Sequence, residues 1–299
     1  MPAFILFSMP VLWFALAGGC PAAQPPADET VESIMRRVAE NQDKALELRS
    51  AFVYNQDVII RFFRGNGKLA REEYREYNVT PGPRDTQKTL TSFRGKYEKG
   101  GRYFEYTKPG YEYKDVDIDG ALMGSLADGL THDRESRDGI SVNLFPLTTR
   151  SQAGYRFTLE GSEEYRGNSV FRISFEPAVM DNDVVSESTP WAGLILVDVH
   201  DYQPVLVTTH LAKGLPFLVK TVLGTNLKGL GFKISYERQD DGLWFPVNYG
   251  GEFEVKAVFF YKRKMAVTLR NHDFQRVRVD THVTFGNPAG TGETDQIPK

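Results

Sequence analysis

The sequence predicts an α+β fold in which an antiparallel sheet of about ten strands is covered by one N-terminal helix. Hydrophobic residues recur at helical spacing between residues 31 and 48, and from residue 52 onward the period changes to two. The strand-like segments that follow are joined mostly by short turns, without helical periods between them. Because parallel strands need long crossover connections, this order favours an antiparallel meander.

The chain opens with an uncharged apolar stretch, residues 4–19, that ends in small residues before Cys20. This length is typical of a secretory signal peptide, since a membrane-spanning helix needs about 20 apolar residues. We therefore expect residues 1–19 to be removed on export. The small residues before Cys20 resemble a bacterial lipobox, which would make Cys20 a lipid-modified N-terminus anchored to a membrane. Ordinary cleavage after Ala22 or Ala23, or a misassigned start codon, are the alternatives.

The composition excludes several classes of protein. The 36 basic and 39 acidic residues give a net charge of −3, without the basic excess that nucleic-acid binding requires. Cys20 is the only cysteine, so the chain has neither an internal disulfide nor a cysteine-rich zinc site. The 20 Phe and 14 Tyr residues suit half-buried strands.

A Pro-rich tether, residues 20–28, leads into the one strongly amphipathic helix. Thr30 is placed to cap this helix. The apolar stripe that predicts it consists of Val31, Ile34, Met35, Val38, Ala45, Leu46 and Leu48.

The first strand has one apolar and one polar face. Asn55, Asp57 and Arg61 lie on the polar face. The apolar face, which we expect to point into a concave interior, carries Phe52, Tyr54, Val58, Ile60 and Phe62. Further strands are predicted at residues 68–80, 86–97, 102–107, 154–164, 169–176, 193–199, 204–211, 231–238, 244–261, 265–271 and 274–285.

Two apolar segments interrupt the meander, at residues 119–130 and 215–230. Both are predicted lids over the apolar face of the sheet, with Leu126 and Phe217 as cavity residues. Connecting helices packed as ordinary core are the alternative, because an apolar stripe is often simply core. The tail, residues 286–299, is polar and is predicted to be disordered.

The order of elements resembles the outer-membrane lipoprotein-sorting family, the LolA/LolB-like half-barrels. The resemblance covers most of residues 29–285, the predicted domain. It rests on the helix before the first strand, the hairpin run at 159–171, the strand 193–198 followed by Tyr202-Gln203-Pro204, and the run Gly242-Leu243-Trp244-Phe245-Pro246.

The resemblance implies a curled, open half-barrel with one or two lid segments around an apolar cavity. Such a cavity accepts acyl chains of lipoproteins or other lipids without catalysis and without a cofactor. It also implies a periplasmic protein in the envelope of a Gram-negative-type bacterium. Burial of apolar chains in such an interior is favourable by about 25 cal/mol per Å².

No catalytic or metal-binding motif is visible in the sequence. His200 and His210 are the one histidine pair that the turn at residues 201–204 could bring together, and structural histidines are the simpler interpretation. The run Asp115, Asp117, Asp119 and Gly120 imitates the opening of a calcium loop, but the twelfth position is Leu126 and the run reads as a strand edge.

A basic run at residues 262–264 is predicted to lie between two strands. It would face anionic headgroups or form an ordinary solvated hairpin tip. Two functions therefore remain open: an envelope protein that binds acyl chains in its interior, and a membrane-anchored module that binds a partner protein and has a filled core. An enzyme would need clustered acids, histidines or serines, which nothing linear suggests.

Overall fold

The computed structural model describes residues 29–82, 86–112, 117–131, 145–178, 191–212, 225–228, 230–257 and 261–277. These residues form the helices α1 (Val31–Arg49), α2 (Ile118–Thr131) and α3 (Thr149–Gln152). Their strands are β1 (Phe52–Phe63), β2 (Leu69–Pro81), β3 (Thr86–Lys99), β4 (Arg102–Tyr106), β5 (Tyr155–Tyr165), β6 (Asn168–Pro177), β7 (Trp191–Asp198), β8 (Pro204–Leu211), β9 (Thr225–Lys228), β10 (Gly231–Arg238), β11 (Trp244–Ala257) and β12 (Tyr261–Arg276). The predicted signal segment, the tether and the tail lie outside the described residues.

The described strands form one antiparallel sheet that does not close on itself. Eleven of them follow the order β4-β3-β2-β1-β12-β11-β10-β8-β7-β6-β5, and the short β9 pairs with β11 beyond the end of β10. β4 and β5 lie at opposite ends of this path, and no pairing joins them within the part of the chain that the structure describes. The prediction of an α+β fold built on an open antiparallel half-barrel is confirmed.

Helix α1 begins where the sequence predicts and buries Ile34, Met35, Val38 and Ala45 of the predicted stripe, whereas Leu48, at its end, is 50% exposed. The Thr30 hydroxyl accepts a hydrogen bond from the backbone N–H of Ser33 at 3.3 Å, so Thr30 caps the helix. The first half of the helix contributes Ile34, Met35 and Val38 to the core of the sheet. Within the described residues no helix is both long enough and apolar enough to span a membrane.

Polar contacts fix α1 against the sheet at two places. The Asn41 amide donates to the backbone carbonyl of Asp201 at 2.9 Å, in the turn between β7 and β8. Near the other end of the helix, the buried Arg49 guanidinium donates to the carbonyl of Trp244 at 3.0 Å, at the start of β11. The helix therefore bridges the β7–β8 turn and the start of β11, which β10 separates in the sheet order.

The last strand along the described chain differs from the prediction, because β12 is one continuous strand rather than two. Its pairing with β1 shifts register between Val53 and Asn55, opposite Gln275 and His272. Asp273 lies in this shift with a φ of 56°. The polar interruption that reads as a turn in the sequence is thus a β-bulge, which inserts residues without ending a strand.

The basic run is also placed differently from the prediction of a hairpin tip. It lies inside β12, where its outer members pair with acids on β11: Lys262 with Glu254 at 3.1 Å and Lys264 with Glu252 at 2.6 Å. The middle residue, Arg263, turns to the other face of the sheet. Period-two alternation divides the run between two faces, so it is not one basic patch.

The second predicted lid is partly a strand. Residues 225–228 of the segment 215–230 form β9. This strand pairs with β11 on the same side as β10, next to the start of β10. Phe217 lies outside the described residues. The short elements β9 and α3 were not predicted, since four residues are too few for either hydrophobic period to be recognised.

Candidate functional site

The apolar face of β1 forms the floor of the interior, as predicted. Burial alternates strictly along the strand, and the five predicted residues are between 0 and 6% exposed. Four of them, all but Phe52, belong to one continuous hydrophobic core together with α1 and with residues of β6–β8 and β10–β12. Phe52 instead meets Phe245 edge to face, with ring centroids 5.0 Å apart. The assigned phase of the strand is therefore confirmed, while a contact of these residues with a ligand stays a prediction.

One polar residue interrupts this floor. Gln56 shares the phase of the apolar residues and is fully buried. Its amide donates to Asn271 Oδ1 at 2.8 Å and accepts from Lys88 Nζ at 2.5 Å. Asn271 in turn donates to the Pro246 carbonyl at 2.9 Å. The buried amide is thus fully engaged by neighbouring strands, as a buried polar group must be to avoid a large desolvation cost.

Four aromatic residues of the core, on β7, β10, β11 and just before α3, contact one another in a continuous row that we call the aromatic wall: Trp191, Phe232, Tyr249 and Phe145. The rings of Phe232 and Tyr249 stack with centroids 5.5 Å apart, and Phe145 meets Tyr249 edge to face at 6.2 Å. All four are buried. Among the described residues the Tyr249 hydroxyl has no hydrogen-bond partner, a state that costs about 1–3 kcal/mol for a buried polar group.

Helix α2 contains the first predicted lid segment, residues 119–130. It lies on the inner face of the sheet near β1. Met123 is fully buried in the core, and Leu122 packs against it. Leu126 lies one turn further along the same helix. Asp117 precedes the helix, and its Oδ1 accepts the backbone N–H of Gly120 at 2.8 Å, which satisfies one free donor of the first turn. The first interrupting segment is therefore a helix packed on the core, and its role as a lid stays a prediction.

The same Asp117 joins a buried charged cluster on β2 that the sequence analysis missed. Arg71 Nη1 donates to Asp117 Oδ2 at 2.7 Å, and Arg71 Nε donates to the Tyr106 hydroxyl at 2.8 Å. Tyr106 donates to Glu73 Oε1 at 2.6 Å, and the other oxygen of Glu73 accepts from Arg75 at 2.6 Å. All five side chains are buried. The interior therefore has a charged region next to the apolar floor.

Burial and hydrogen bonding shift two pKa values in this cluster. Burial raises the pKa of Tyr106 above its ordinary value, and the hydrogen bond to Glu73 raises it further. Burial opposes the charge of Arg71, but its hydrogen bonds to Tyr106 and Asp117 outweigh that effect and raise its pKa. The phenol stays protonated and the guanidinium stays charged at neutral pH, so the cluster is a fixed set of donors and acceptors.

A second ion pair attaches α2 to β12. Asp119 accepts from the Tyr261 hydroxyl at 2.6 Å and from Arg263 Nε at 3.0 Å. Both acids of the calcium-like run that the structure describes are therefore engaged by arginines and tyrosines. Asp115 lies outside the described residues, and Ile118 starts a helix rather than lying on the expected strand edge. This donor set does not fit a calcium loop, which needs its carboxylates directed at one point.

The histidine pair considered in the sequence does not come together. His200 lies in the turn before β8, whereas His210 lies near the far end of that strand. Six residues of strand between Pro204 and His210 span about 20 Å. Among the residues that the structure describes, no group of three or more histidine, cysteine, aspartate or glutamate side chains is arranged to hold a metal ion.

Two cavities lined by described residues lie away from the apolar floor. One, of about 410 Å³, lies beside β2–β4 and is lined by Tyr74, Arg94, Lys96 and Tyr106, among others. The other, of about 530 Å³, lies over β10–β12, where Gly231, Gly250 and Gly251 leave space. None of the five floor residues of β1 lines either of them. Cys20 and Phe217, two further predicted site residues, lie outside the described part of the chain.

Comparison with known proteins gives similar structures at low sequence identity. No protein-family model and no curated protein matches the sequence. A solved outer membrane lipoprotein-sorting protein domain from Vibrio parahaemolyticus is similar at 10% identity and a TM-score of 0.34, covering 81% of this chain and 92% of that one. A LolA superfamily protein from Nitrosomonas europaea has 12% identity, a TM-score of 0.34, and coverages of 84% and 95%.

A DUF1329 family protein from Desulfovibrio piger is similar at 10% identity and a TM-score of 0.35, covering 85% of this chain and 95% of that chain. At these TM-scores the likeness carries no argument about what this chain binds, and the function has to be argued from its own residues. The chain is thus similar to solved proteins of the superfamily that its sequence motifs resemble.

Proposed function

We propose that this protein is a non-catalytic protein of the cell envelope that binds acyl chains of lipoproteins or lipids between the curled sheet and its helical cover. The observation that carries the proposal is the construction of the interior. Its apolar floor belongs to an open sheet, and separate helical segments rather than a second sheet lie over that floor. A helical cover can move away from the floor without breaking any strand pairing.

The attachment of α2 supports this proposal. The described first half of the helix enters the core mainly through Met123, with Leu122 beside it, and is otherwise fixed by the ion pairs of Asp117 and Asp119. Displacement of α2 would expose the adjoining floor of β1. An acyl chain placed there would recover the burial of apolar surface, at about 25 cal/mol per Å².

The test is displacement of a neutral fluorescent probe, N-phenyl-1-naphthylamine, from the purified full-length protein by palmitic acid or by an acylated peptide. We expect saturable displacement in the parent protein. In Leu126→Glu we expect binding at least tenfold weaker, with an unchanged melting temperature. The matched control is Ala121→Glu, which adds the same charge at an exposed position of the same helix and should bind normally.

A partner-binding module is the second candidate, and the close packing of the described core favours it. The floor residues already contact α1 and the aromatic side chains, as expected for an interior filled by the protein itself. In that case Leu126→Glu would weaken folding rather than binding. A well-folded protein that binds none of a range of amphiphiles would reject the acyl-chain proposal and favour this module.

Anchoring through Cys20 is a separate part of the proposal. It rests on the sequence before Cys20, which resembles a lipobox. We expect Cys20→Ser to abolish lipid modification and release the protein from membranes in cell fractionation. A mature N-terminus that maps beyond Cys20, or a serine variant that stays as membrane-associated as the parent, would show that the anchor is elsewhere.

A further inference from the structure

Tyr249 is the one tyrosine of the described residues whose hydroxyl is buried without a hydrogen-bond partner. The residue lies on β11 and is 2% exposed. Other tyrosines of the interior are satisfied: Tyr106 donates to Glu73, and Tyr261 donates to Asp119. Because buried hydroxyls are nearly always paired in folded proteins, this exception requires an explanation.

The described side chains that pack on the Tyr249 ring and pair with it across the sheet are apolar. Its strand neighbours are Ile234 on β10 and Leu269 on β12, and its ring packs between Phe232 and Phe145 in the aromatic wall. Burial alone raises the pKa of Tyr249 well above its ordinary value. The hydroxyl therefore remains a neutral donor over the physiological range, in a place where none of the described residues supplies an acceptor.

We propose that the Tyr249 hydroxyl is the polar anchor of the interior site and donates to the carbonyl oxygen at the head of a bound acyl chain. The inference rests on the proposed function, since it assigns a contact within the same interior. The aromatic wall would pack along the chain, and the carbonyl would supply the acceptor that the protein lacks. The shared chemistry is a carbonyl oxygen attached to an alkyl chain, as in a fatty acid or an acyl ester.

The experiment compares the parent protein with Tyr249→Phe, which removes only the hydroxyl. Binding of palmitic acid, methyl palmitate and hexadecane is measured by displacement of N-phenyl-1-naphthylamine, and the melting temperature is measured in parallel. We expect the variant to bind the two carbonyl ligands about five- to tenfold more weakly, the range of one hydrogen bond, and to bind hexadecane as the parent does. The control is Tyr103→Phe, at an exposed tyrosine on β4.

The melting temperature distinguishes a ligand contact from a structural role. Removal of an unpartnered hydroxyl should leave the melting temperature unchanged or raise it, whereas loss of a structural hydrogen bond would lower it. Weaker binding of the acid alone, or of the ester alone, would identify which source of carbonyl the site takes.

Equal affinities of parent and variant for all three ligands would overturn the role of Tyr249 and leave the proposed function intact. Failure of the parent to bind any of the three would overturn both.

Discussion

β1 and β2 are neighbours in the sheet, yet they present opposite chemistry to the same interior. Their register places Phe62 beside Arg71 and Ile60 beside Glu73. All four side chains are buried. The boundary between an apolar and a charged interior therefore runs along a single pair of strands. The apolar floor therefore ends where Asp117 and Glu73 supply carboxylates to the arginines of β2, because only paired charges can be buried.

The largest effect should come from placing a charge on the apolar side of this boundary. Ile60→Asp would bury a carboxylate where the structure supplies no cation on the same strand face, and it would also remove packing. We expect a loss of about 4–5 kcal/mol in the free energy of unfolding, measured by urea denaturation. Ile59→Asp, one residue away on the opposite face, is the control and should cost far less.

A comparable loss in both variants would mean that the two faces of β1 are not chemically distinct. If only Ile60→Asp unfolds the protein, the same substitution in an Arg71→Met background should cost as much again as it does in the parent. A larger loss in that background would instead indicate that Arg71 reaches the apolar floor and partly compensates the new carboxylate.

The sequence alone predicts which face of β1 is buried, but it does not predict which face of β2 is buried, and the reason is physical. In β1 one phase is almost wholly apolar, so only one orientation avoids burying Asp57 and Arg61. In β2 both phases are polar: one carries Arg71, Glu73 and Arg75, and the other carries Glu72 and Glu76. No period-two rule can choose between two polar faces. The choice depends on Asp117, which is distant in sequence.

A signal for the charged cluster was nevertheless present. The acids before α2 imitate a calcium loop, but acids just before an apolar helix are also typical caps. A buried capping carboxylate such as Asp117 needs a cation, and a polar strand rich in arginine, such as β2, is where the sequence offers one. The β-bulge in β12 had no comparable signal, because a polar pair inside a strand looks the same as a turn.

The second-largest effect tests whether the stability of the buried charged cluster depends on the pairing of opposite charges rather than on polar side chains alone. Arg71→Met leaves Asp117 without its cation and should cost about 3–4 kcal/mol. Asp117→Asn should also be destabilising, because Arg71 then loses its anion, although asparagine still caps α2. The double variant removes both charges, so we expect it to be more stable than the sum of the single losses predicts.

Urea denaturation of these four proteins forms a double-mutant cycle. A coupling energy of at least about 1 kcal/mol supports a buried ion pair that holds α2 to the sheet. Additive losses would mean that the two residues act independently, and the boundary between β1 and β2 would then reflect packing alone.

The smallest effect concerns the aromatic ring that covers the charged side. Gly95 on β3 pairs with Tyr106 on β4, and a Cβ at Gly95 would lie 2.2 Å from Tyr106 Cζ. Gly95→Ala must therefore displace the ring whose hydroxyl joins Arg71 and Glu73, at a cost of about 1–3 kcal/mol. Gly65→Ala, at a turn with no atom within 4 Å, is the matched control and should be neutral. In a Tyr106→Ala background the clash disappears, so Gly95→Ala should then cost nothing further. If Gly95→Ala is harmful in both backgrounds, the strand itself requires glycine there, and the ring is not what closes the charged side of the interior.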